Sequence, residues 1–202
     1  MTVDPVTLEG RTVCLQPLAL AHLDALCETG LDEEIWRWNV SPVRTRDEMR
    51  AWIEKALRDH AAGSSLPFAI LERASGKPAG STRYLNIDKS NRRVEIGATW
   101  IGCRWQRTAV NTEAKYLMLR HAFEALGCIR VEFKTDSLND RSRKAILRIG
   151  AKEEGTLRNH MIASTGRLRH SVYYSIINSE WPAVKAELEK KLDAPRLQGG
   201  SA

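Results

Sequence analysis

The apolar residues repeat with two different periods along the chain, and the changes of period divide it into strands and helices. Alternation with a period of two, bounded by turn residues, predicts strands at 11–18, 66–73, 78–87, 92–101 and 129–135, then a hairpin of two strands within 151–177. Apolar positions three or four residues apart predict helices at 20–30, 45–63, about 110–126, 139–150 and 179–192.

The order of these elements predicts one sheet rather than two separate domains. The strands at 66–73, 78–87 and 92–101 are joined by ASGK and DKSN, which are turn sequences, so we expect an antiparallel meander. The helices that precede and follow the meander are expected to pack on both faces of the sheet. We therefore predict an α+β fold of three layers (α/β/α) with a single mixed, mostly antiparallel sheet. Residues 1–192 are expected to form one domain, and 193–202 a disordered tail.

Composition adds limits on location. Of the 202 residues, 43% are hydrophobic and 28% are charged, an ordinary globular mixture. There is no apolar run of 18 residues and no secretory leader, so we expect no membrane association and a cytoplasmic location. Cys14, Cys27, Cys103 and Cys128 form no Cys-x-x-Cys pair, and we expect all four to be reduced core thiols.

The charge is unevenly distributed. Residues 1–60 hold 7 basic and 11 acidic residues, a net charge of −4, whereas the remaining 24 basic and 14 acidic residues give +10. A basic main body indicates an anionic partner, either nucleic acid or a small molecule that carries phosphate. The alternative is a solvated basic surface without a partner.

One segment is a candidate anion site. The helix that begins near Val110 is mostly apolar and must be buried, while the turn before it, QRTAVN, is basic and polar. Backbone N–H groups at a helix start attract anions, and Gln106, Arg107, Thr108 and Asn111 add donors. The alternative is that Thr108 or Asn111 simply caps the helix. We expect Glu113, in the first turn, to offset part of the helix dipole.

The turn resembles the cofactor loop Q/R-x-x-G-x-G/A of the GNAT superfamily of N-acetyltransferases, with Gln106 in its first position. A second signature of that superfamily follows the next strand and is matched here by Asn139, Ser142, Ala145, Ile146, Gly150 and Ala151. The resemblance covers roughly residues 11–180. NTEAK, NDRS and EIGATW are most similar to the branch that acetylates the N-termini of ribosomal proteins.

The resemblance implies acetyl-CoA as co-substrate. In such proteins two central strands splay apart and the pantetheine arm binds the exposed edge, here 99–101, with a backbone N–H near Ile101 for the oxyanion. The cofactor-binding residues implied are Trp100, Ile101, Gln106, Arg107, Thr108, Ala109, Val110, Asn111, Thr112, Asn139 and Arg143. Arg141 and Lys144 are further candidates for the CoA phosphates. Ala109 and Asn111 replace the two loop glycines, a departure that affects how closely the pyrophosphate approaches.

The chemistry needs a base for the acceptor amine and a donor for the leaving thiolate. Glu95 is the candidate base, and strand alternation predicts that it shares a face with Gly97 and Thr99. The alternative is a cross-strand pair with Arg83, Arg92 or Arg93. Ile146 replaces the tyrosine that often serves the thiolate, so Ser142 is the candidate donor, or else only a polar residue of the first turn. Asn139 is expected to cap its helix and contact the pantetheine arm.

No metal is predicted, because the five histidines have no ligand spacing with acids or cysteines. No nucleophile elbow is present, so we expect direct attack by the amine. The acceptor is predicted to be a primary amine, either a protein N-terminus, for example that of a ribosomal protein, or a small molecule. Its pocket is expected from loops 31–44 and 158–172, where Trp36 and Trp38 either line a pocket or form a hydrophobic plug.

Two other functions remain open from the sequence. One is a regulatory module that binds acetyl-CoA without efficient catalysis, which the replaced glycines and the missing tyrosine would explain. The other is a ribosome- or RNA-associated protein, which the basic body favours, although no RNA-binding signature is present and nucleic acid is not the expected partner. The exposed strand edges are compatible with a homodimer.

Overall fold

A computed structural model describes residues 1–194 and shows one sheet of eight strands. The strand order across the sheet is β1-β2-β3-β4-β5-β6-β8-β7, and every neighbouring pair is antiparallel except β5 and β6. The strands are β1 (Leu8–Glu9), β2 (Val13–Pro17), β3 (Leu66–Glu72), β4 (Pro78–Asp88), β5 (Arg93–Ile101), β6 (Arg130–Asp136), β7 (Lys152–Ile162) and β8 (Leu168–Ile177).

Helices cover both faces of this sheet. They are α1 (Leu23–Gly30), α2 (Glu33–Trp36), α3 (Arg46–Ala61), α4 (Ala109–Arg120), α5 (Asp140–Arg148) and α6 (Trp181–Asp193). Residues of α1, α2 and α3 form one apolar cluster against the sheet, and residues of α4, α5 and α6 form a second cluster. The predicted three-layer fold with a single mixed sheet is therefore confirmed.

Several short elements were not predicted from the sequence. They are β1, the single turn α2, a 3₁₀ turn, Leu20–His22, at the start of the helix predicted at 20–30, and a 3₁₀ turn, Cys103–Trp105, before α4. The helix predicted at about 110–126 changes to a π-helical turn at His121–Ala125. Two to five residues are too few to show a hydrophobic period, so tertiary packing decides such elements.

The two central strands separate part of the way along the sheet. β5 and β6 are parallel and pair only at Arg93–Arg130, Val94–Val131 and Glu95–Glu132. Beyond Glu95, β5 stays paired with β4, whereas β6 stays paired with β8 as far as Asp136. The fork leaves one edge of β5 without a strand partner from Ile96 to Ile101, which is the geometry that the family resemblance implied.

A bulge in β5 reverses which side chains face which layer. Ala98 has φ of 45°, and the pairing of β5 with β4 shifts register there. Val94 and Ile96 lie in the cluster with α4, whereas Trp100 lies in the cluster with α1 and α3. Thr99 contacts α4, so the prediction that Glu95 and Thr99 share a face is wrong. Simple alternation fails because the bulge adds one residue.

The predicted disordered tail, 193–202, is only partly within the described residues. Asp193 is the last residue of α6, so it belongs to a helix, and residues 195–202 lie outside the described part of the chain. Among the described helices, none has the length and apolar character that crossing a membrane requires.

Candidate active site

A cleft of about 820 Å³ lies at the fork between β5 and β6. Its walls include the free edge of β5, the turn before α4, the first turns of α5, and the segment around α2. The cleft brings together nine of the predicted site residues, namely Glu95, Trp100, Ile101, Gln106, Arg107, Thr108, Asn111, Asn139 and Ser142. A more open hollow of about 900 Å³ also borders Glu95, but it does not reach the turn before α4.

The turn before α4 is held in place by its own polar side chains. Thr108 caps α4 by accepting from the Val110 N–H at 3.3 Å, and its hydroxyl donates to the Trp105 carbonyl at 2.7 Å. Gln106 donates to the Ile101 carbonyl at 2.9 Å and accepts from Arg141 at 2.6 Å. The turn is thereby tied to the end of β5 and to α5, and the start of α4 opens on the cleft.

The left-handed backbone of this turn lies at neither of the two positions where a loop glycine is replaced. The left-handed backbone lies at Arg107, with φ of 63°, whereas Ala109 and Asn111 are helical residues of α4. Neither replaced glycine position therefore requires left-handed backbone. The remaining consequence of these replacements is the volume of two small side chains beside the helix start.

Glu113 does not offset the dipole of α4, which corrects the prediction. Its buried carboxylate accepts from the backbone N–H groups of Arg11, Thr12 and Val13, at 2.9, 2.6 and 2.8 Å. These donors lie at the start of β2, so Glu113 is a structural link between α4 and the sheet. The positive end of α4 is left without an acidic residue in its first turn.

The unpaired edge of β5 presents a backbone donor to the cleft. Gly102 N–H donates to the Ala79 carbonyl on β4 at 2.9 Å. Because successive N–H groups of a strand point to opposite edges, the Ile101 N–H points away from β4 and into the fork. This is the direction that an oxyanion donor needs.

Glu95 lies at the base of the fork, in the last residue pair between β5 and β6. Its carboxylate is buried and accepts from the Asn86 amide at 2.8 Å, with the Lys134 ammonium 3.5 Å away. None of the three predicted arginine partners pairs with it. Arg83 stacks on Trp52 at 4.0 Å and Arg93 pairs with Asp88 and Glu132, while Arg92 is exposed in a turn.

Aromatic side chains form the wall of the cleft next to Glu95. The rings of Trp36, Trp52 and Trp100 contact one another, with centroids 5.6 to 6.2 Å apart. Trp36 is buried in the cluster with α1 and α3 and also borders the cleft. It therefore both lines a pocket and fills the core as a hydrophobic plug, the two alternatives that the sequence left open. Trp38 is half-buried, and Arg37 and Arg167 lie over its ring.

The start of α5 forms the facing wall. Asn139 caps α5 by accepting from the Ser142 N–H at 3.0 Å, as predicted, and both side chains line the cleft. Arg143 lies elsewhere, since it donates to the Tyr174 hydroxyl at 3.1 Å and pairs with Glu153 at 3.4 Å. Arg141 and Lys144 border the cleft instead.

Three other predicted residues do not line the cleft. Val110 is in the core, Thr112 is buried and accepts from Arg148 at 3.3 Å, and Ala109 lies at the first helical position with partial exposure. Their backbone belongs to the first turn of α4, which is what an anion would contact.

Lys115 lines the cleft but was not predicted from the sequence as a site residue. It is buried in the second turn of α4, borders the cleft, and donates to the Thr99 hydroxyl at 2.6 Å and to the Thr82 hydroxyl at 3.2 Å. Burial lowers the pKa of Lys115 to about 7. A signal was present in the sequence, namely a lysine within a helix that was predicted to be buried. Among the described residues, no three histidine, cysteine or acidic side chains gather as metal ligands would.

Comparison with known proteins shows the family. A family model described as an acetyltransferase (GNAT) domain matches residues 12–152. The crystal structure of a GCN5-related N-acetyltransferase from Brucella melitensis is 35% identical with a TM-score of 0.88, over 96% of this chain and 87% of that one. Mycobacterium smegmatis RimJ, in complex with CoA-disulfide, has the same fold at 21% identity and a TM-score of 0.81, over 93% and 95% of the two chains.

One sequence relative is named for acetylation in the ribosome. YdaF of Bacillus subtilis strain 168, which carries the provisional name of ribosomal N-acetyltransferase, is 34% identical over 110 residues, or 54% of this chain and 59% of that one. The resemblance found in the cofactor loop and in the signature from Asn139 is thereby confirmed. The chain belongs to the GNAT family as an acetyl-CoA-dependent acetyltransferase, and it resembles the ribosomal-protein branch of that family.

Proposed function

We propose that this protein transfers the acetyl group of acetyl-CoA to a primary amine by direct attack on the thioester. The observation that supports this most is the fork in the sheet, with the start of α4, whose first turn has no acidic residue, at its open end and a buried carboxylate at its base. From Glu95 to Ile101 the strand β5 advances six residues, about 20 Å at 3.3 Å per residue, which leaves room for an extended pantetheine arm.

The cofactor is proposed to lie along the free edge of β5. The first turn of α4, at Ala109, Val110, Asn111 and Thr112, would hold the pyrophosphate with Gln106, Arg107 and Thr108. Arg141 and Lys144 border the cleft and are proposed to contact the remaining phosphates, whereas Arg143 is engaged with Tyr174 and Glu153. The pantetheine arm would bind Trp100 and Ile101 of the edge, and Asn139 across the cleft.

In the proposed mechanism Glu95 takes a proton from the acceptor ammonium so that the amine can attack. The Ile101 N–H that the resemblance assigns to the oxyanion lies six residues from Glu95 along β5, so a backbone N–H of the free edge nearer to Glu95 is the one proposed to stabilise the oxyanion of the tetrahedral intermediate. Ser142 is the hydroxyl of α5 that would donate a hydrogen bond to the leaving sulfur. Holding amine and thioester together in the fork supplies much of the rate enhancement.

The acceptor is proposed to be a protein N-terminus. A carboxylate beside several aromatic rings, as Glu95 and the tryptophan wall provide, is a suitable environment for an alkylammonium group. The name of YdaF points to ribosomal substrates for that relative, and we extend this to the present chain. A cytoplasmic location is proposed with it, supported by four cysteines that are all free thiols. Only Cys128 is buried and Cys103 is exposed, so the prediction that all four are core residues is wrong.

The test is an acceptor screen that follows release of the CoA thiol. Peptides with a free N-terminus are compared with the same peptides blocked at the N-terminus, and with small primary amines. We expect turnover only when an amine is free, and faster turnover for peptides than for small amines. Turnover of the blocked peptides through lysine would contradict an N-terminal acceptor, and turnover of small amines alone would identify them as the acceptors.

The regulatory-module alternative has one supporting observation. Ile146, in the position where the resemblance expects a tyrosine, is apolar and borders the cleft. Binding of acetyl-CoA without turnover of any amine would favour that function. A homodimer remains a prediction whose support is the edge strand β7, exposed along most of its length.

A further inference from the structure

Lys115 is a buried cation that has no acid beside it. Its side chain extends from α4 to the sheet, where it donates to Thr99 on β5 and Thr82 on β4. The two hydroxyls are also 2.8 Å from each other. Two of the three ammonium donors are thereby used, and within residues 1–194 no carboxylate forms an ion pair with Lys115.

The charged groups around Lys115 are engaged elsewhere. On its own helix, Glu113 accepts from the backbone at the start of β2. From α5, Arg148 donates to Thr112. On the sheet, Glu95 lies on the opposite face and pairs with Asn86 and Lys134, and Arg83 stacks on Trp52 on that same opposite face. Desolvation therefore determines the pKa of Lys115, and its value of about 7 is far below the ordinary 10.5.

The position of Lys115 relative to the fork gives this group a role. Thr99 lies on the free edge of β5 between Ile101 and Glu95, where the proposed thioester must lie. The bulge at Ala98 turns the Thr99 side chain toward α4, the same layer in which Ile146 borders the cleft. Glu95 and the tryptophan wall occupy the other layer. In the proposed complex the acceptor amine and the leaving sulfur would therefore contact opposite faces of the sheet.

We propose that Lys115 supplies, through the hydroxyl of Thr99, the proton that the CoA thiolate takes up when acetyl transfer is complete. This inference rests on the proposed function. As the carbon–sulfur bond of the tetrahedral intermediate breaks, the sulfur takes the electron pair and accepts the Thr99 hydroxyl proton. Thr99 in turn accepts a proton from the Lys115 ammonium, which becomes a neutral amine. Solvent water in the cleft returns that proton before the next turnover.

The direction of this transfer is favourable. An ordinary alkyl thiol has a pKa of about 8.5, so an ammonium with a pKa of about 7 is the stronger acid and can protonate the thiolate. An exposed lysine would be the weaker acid. Lys115 is a positioning residue in this scheme because it acts through Thr99, and Thr99 is the group that contacts the cofactor.

The first experiment measures the pKa of the CoA thiol when it is bound to the protein, by the ultraviolet absorbance of the thiolate. Lys115 loses its proton near pH 7, before an ordinary thiol does, so the pKa of the bound thiol in wild type should stay close to that of free CoA. Lys115→Met should leave this value unchanged. Lys115→Arg keeps a positive charge one hydroxyl from the sulfur at every pH, so it should lower the pKa of the bound thiol by about one pH unit, and the exposed Lys77→Met is the control.

The second experiment measures kcat for acetyl transfer as a function of pH. Wild type should lose activity as pH rises through about 7, because neutral Lys115 no longer donates. Lys115→Met, Lys115→Arg and Thr99→Val should each lower kcat by on the order of 10²-fold and remove this dependence. The conservative arginine separates proton donation from charge, since it does not titrate in this range.

Three results would overturn the inference. The first is an unchanged thiol pKa in Lys115→Arg that still binds CoA, which would place residue 115 out of reach of the sulfur and leave the proposed function intact. The second is loss of the pH dependence in Ser142→Ala while Lys115→Met keeps it, which would make Ser142 the proton donor. The third is absence of CoA binding in wild type, which would remove the proposed function together with the relay.

Discussion

At the scale of single residues, the site depends on charged side chains that the fold has taken out of water. Glu95 and Lys115 are both almost fully buried, yet they differ in their partners. Glu95 has an amide and an ammonium beside it, whereas Lys115 has only two hydroxyls. Burying an ion without a counter-ion opposes folding, and proteins retain such groups mainly where they serve chemistry.

The cost of Lys115 should be measurable as stability. Because its pKa is about 7 in the folded state and near 10.5 when unfolded, the unfolded chain binds more protons between these values. The free energy of unfolding of wild type should therefore rise as pH increases from about 7 toward 10. Lys115→Met should be more stable than wild type at pH 7, by on the order of 2 kcal/mol, with less pH dependence.

Urea denaturation at several pH values tests this, with Lys77→Met as the exposed control. A Lys115→Met protein that is less stable than wild type at pH 7 would mean that the two threonine hydrogen bonds outweigh the cost of desolvation.

Glu95→Gln should separate catalysis from folding. The amide keeps a hydrogen-bond acceptor for Asn86 but cannot take a proton from the acceptor amine. We expect kcat to fall by about 10² to 10⁴-fold, while affinity for acetyl-CoA stays near the wild-type value. The exposed Glu187→Gln on α6 is the control. Activity within a few-fold of wild type would assign the base to another group or to water.

At this scale the sequence was a good guide to residue type and a poorer guide to partners. The cap roles of Thr108 and Asn139 followed from local spacing, because both contacts lie within three residues. The hydrogen-bond and ion-pair partners of Glu95, Glu113 and Arg143 could not be predicted from local spacing, because these partners lie on other elements. Lys115 was missed for the same reason, since only the fold shows that its neighbours are hydroxyls.

At the scale of elements, the fork and the bulge of β5 define the cleft. Strand positions followed from alternation, but neither the point at which β5 and β6 part nor the shift at Ala98 is encoded in a local pattern. Strand periodicity assumes an unbroken register, and one added residue reverses the facing of every side chain beyond it. Which helical layer the side chains of Glu95 and Thr99 face could therefore be determined only from the three-dimensional structure.

The link between α4 and β2 gives a prediction for an element contact. Glu113→Ala should leave three backbone N–H groups at 11–13 without their acceptor, in a place where Gly10 already lies against the Glu113 side chain. We expect a loss of about 3 kcal/mol or more in the free energy of unfolding. Glu113→Gln, which keeps one acceptor oxygen, should lose less.

Chemical denaturation of the two Glu113 variants decides this. Equal stability of Glu113→Ala and wild type would show that water satisfies these N–H groups and that the contact does not hold the helix to the sheet.

At the scale of the whole molecule, the single mixed sheet and the two helical layers are what the element sequence predicted. Layer architecture is predictable because amphipathic helices and a half-polar sheet have few ways to bury their apolar faces. The acceptor pocket is less predictable, because it combines α2, the end of β5 and β8 residues whose meeting depends on the entire chain. The basic body of the chain is consistent with a phosphate-bearing co-substrate as well as with RNA.

These two anionic partners should differ in their effect on global stability. Acetyl-CoA at 100 times its Kd should raise the free energy of unfolding by about 2.7 kcal/mol, which corresponds to roughly 5–10 °C in Tm. RNA at physiological salt should give no comparable rise, because nonspecific phosphate contacts are screened. Thermal melts with each partner make the comparison. A larger rise with RNA would favour the ribosome- or RNA-associated function.

The central claim is that the start of α4 receives the phosphates of acetyl-CoA, and calorimetric titration with acetyl-CoA tests it most directly. Ala109→Glu places a carboxylate at the first position of α4, where it is favourable for the helix dipole but repels a pyrophosphate. Ala109→Gln has the same shape without the charge. We predict binding to wild type, weaker binding to Ala109→Gln, and none to Ala109→Glu. Equal binding by all three proteins would contradict the claim and place the cofactor elsewhere.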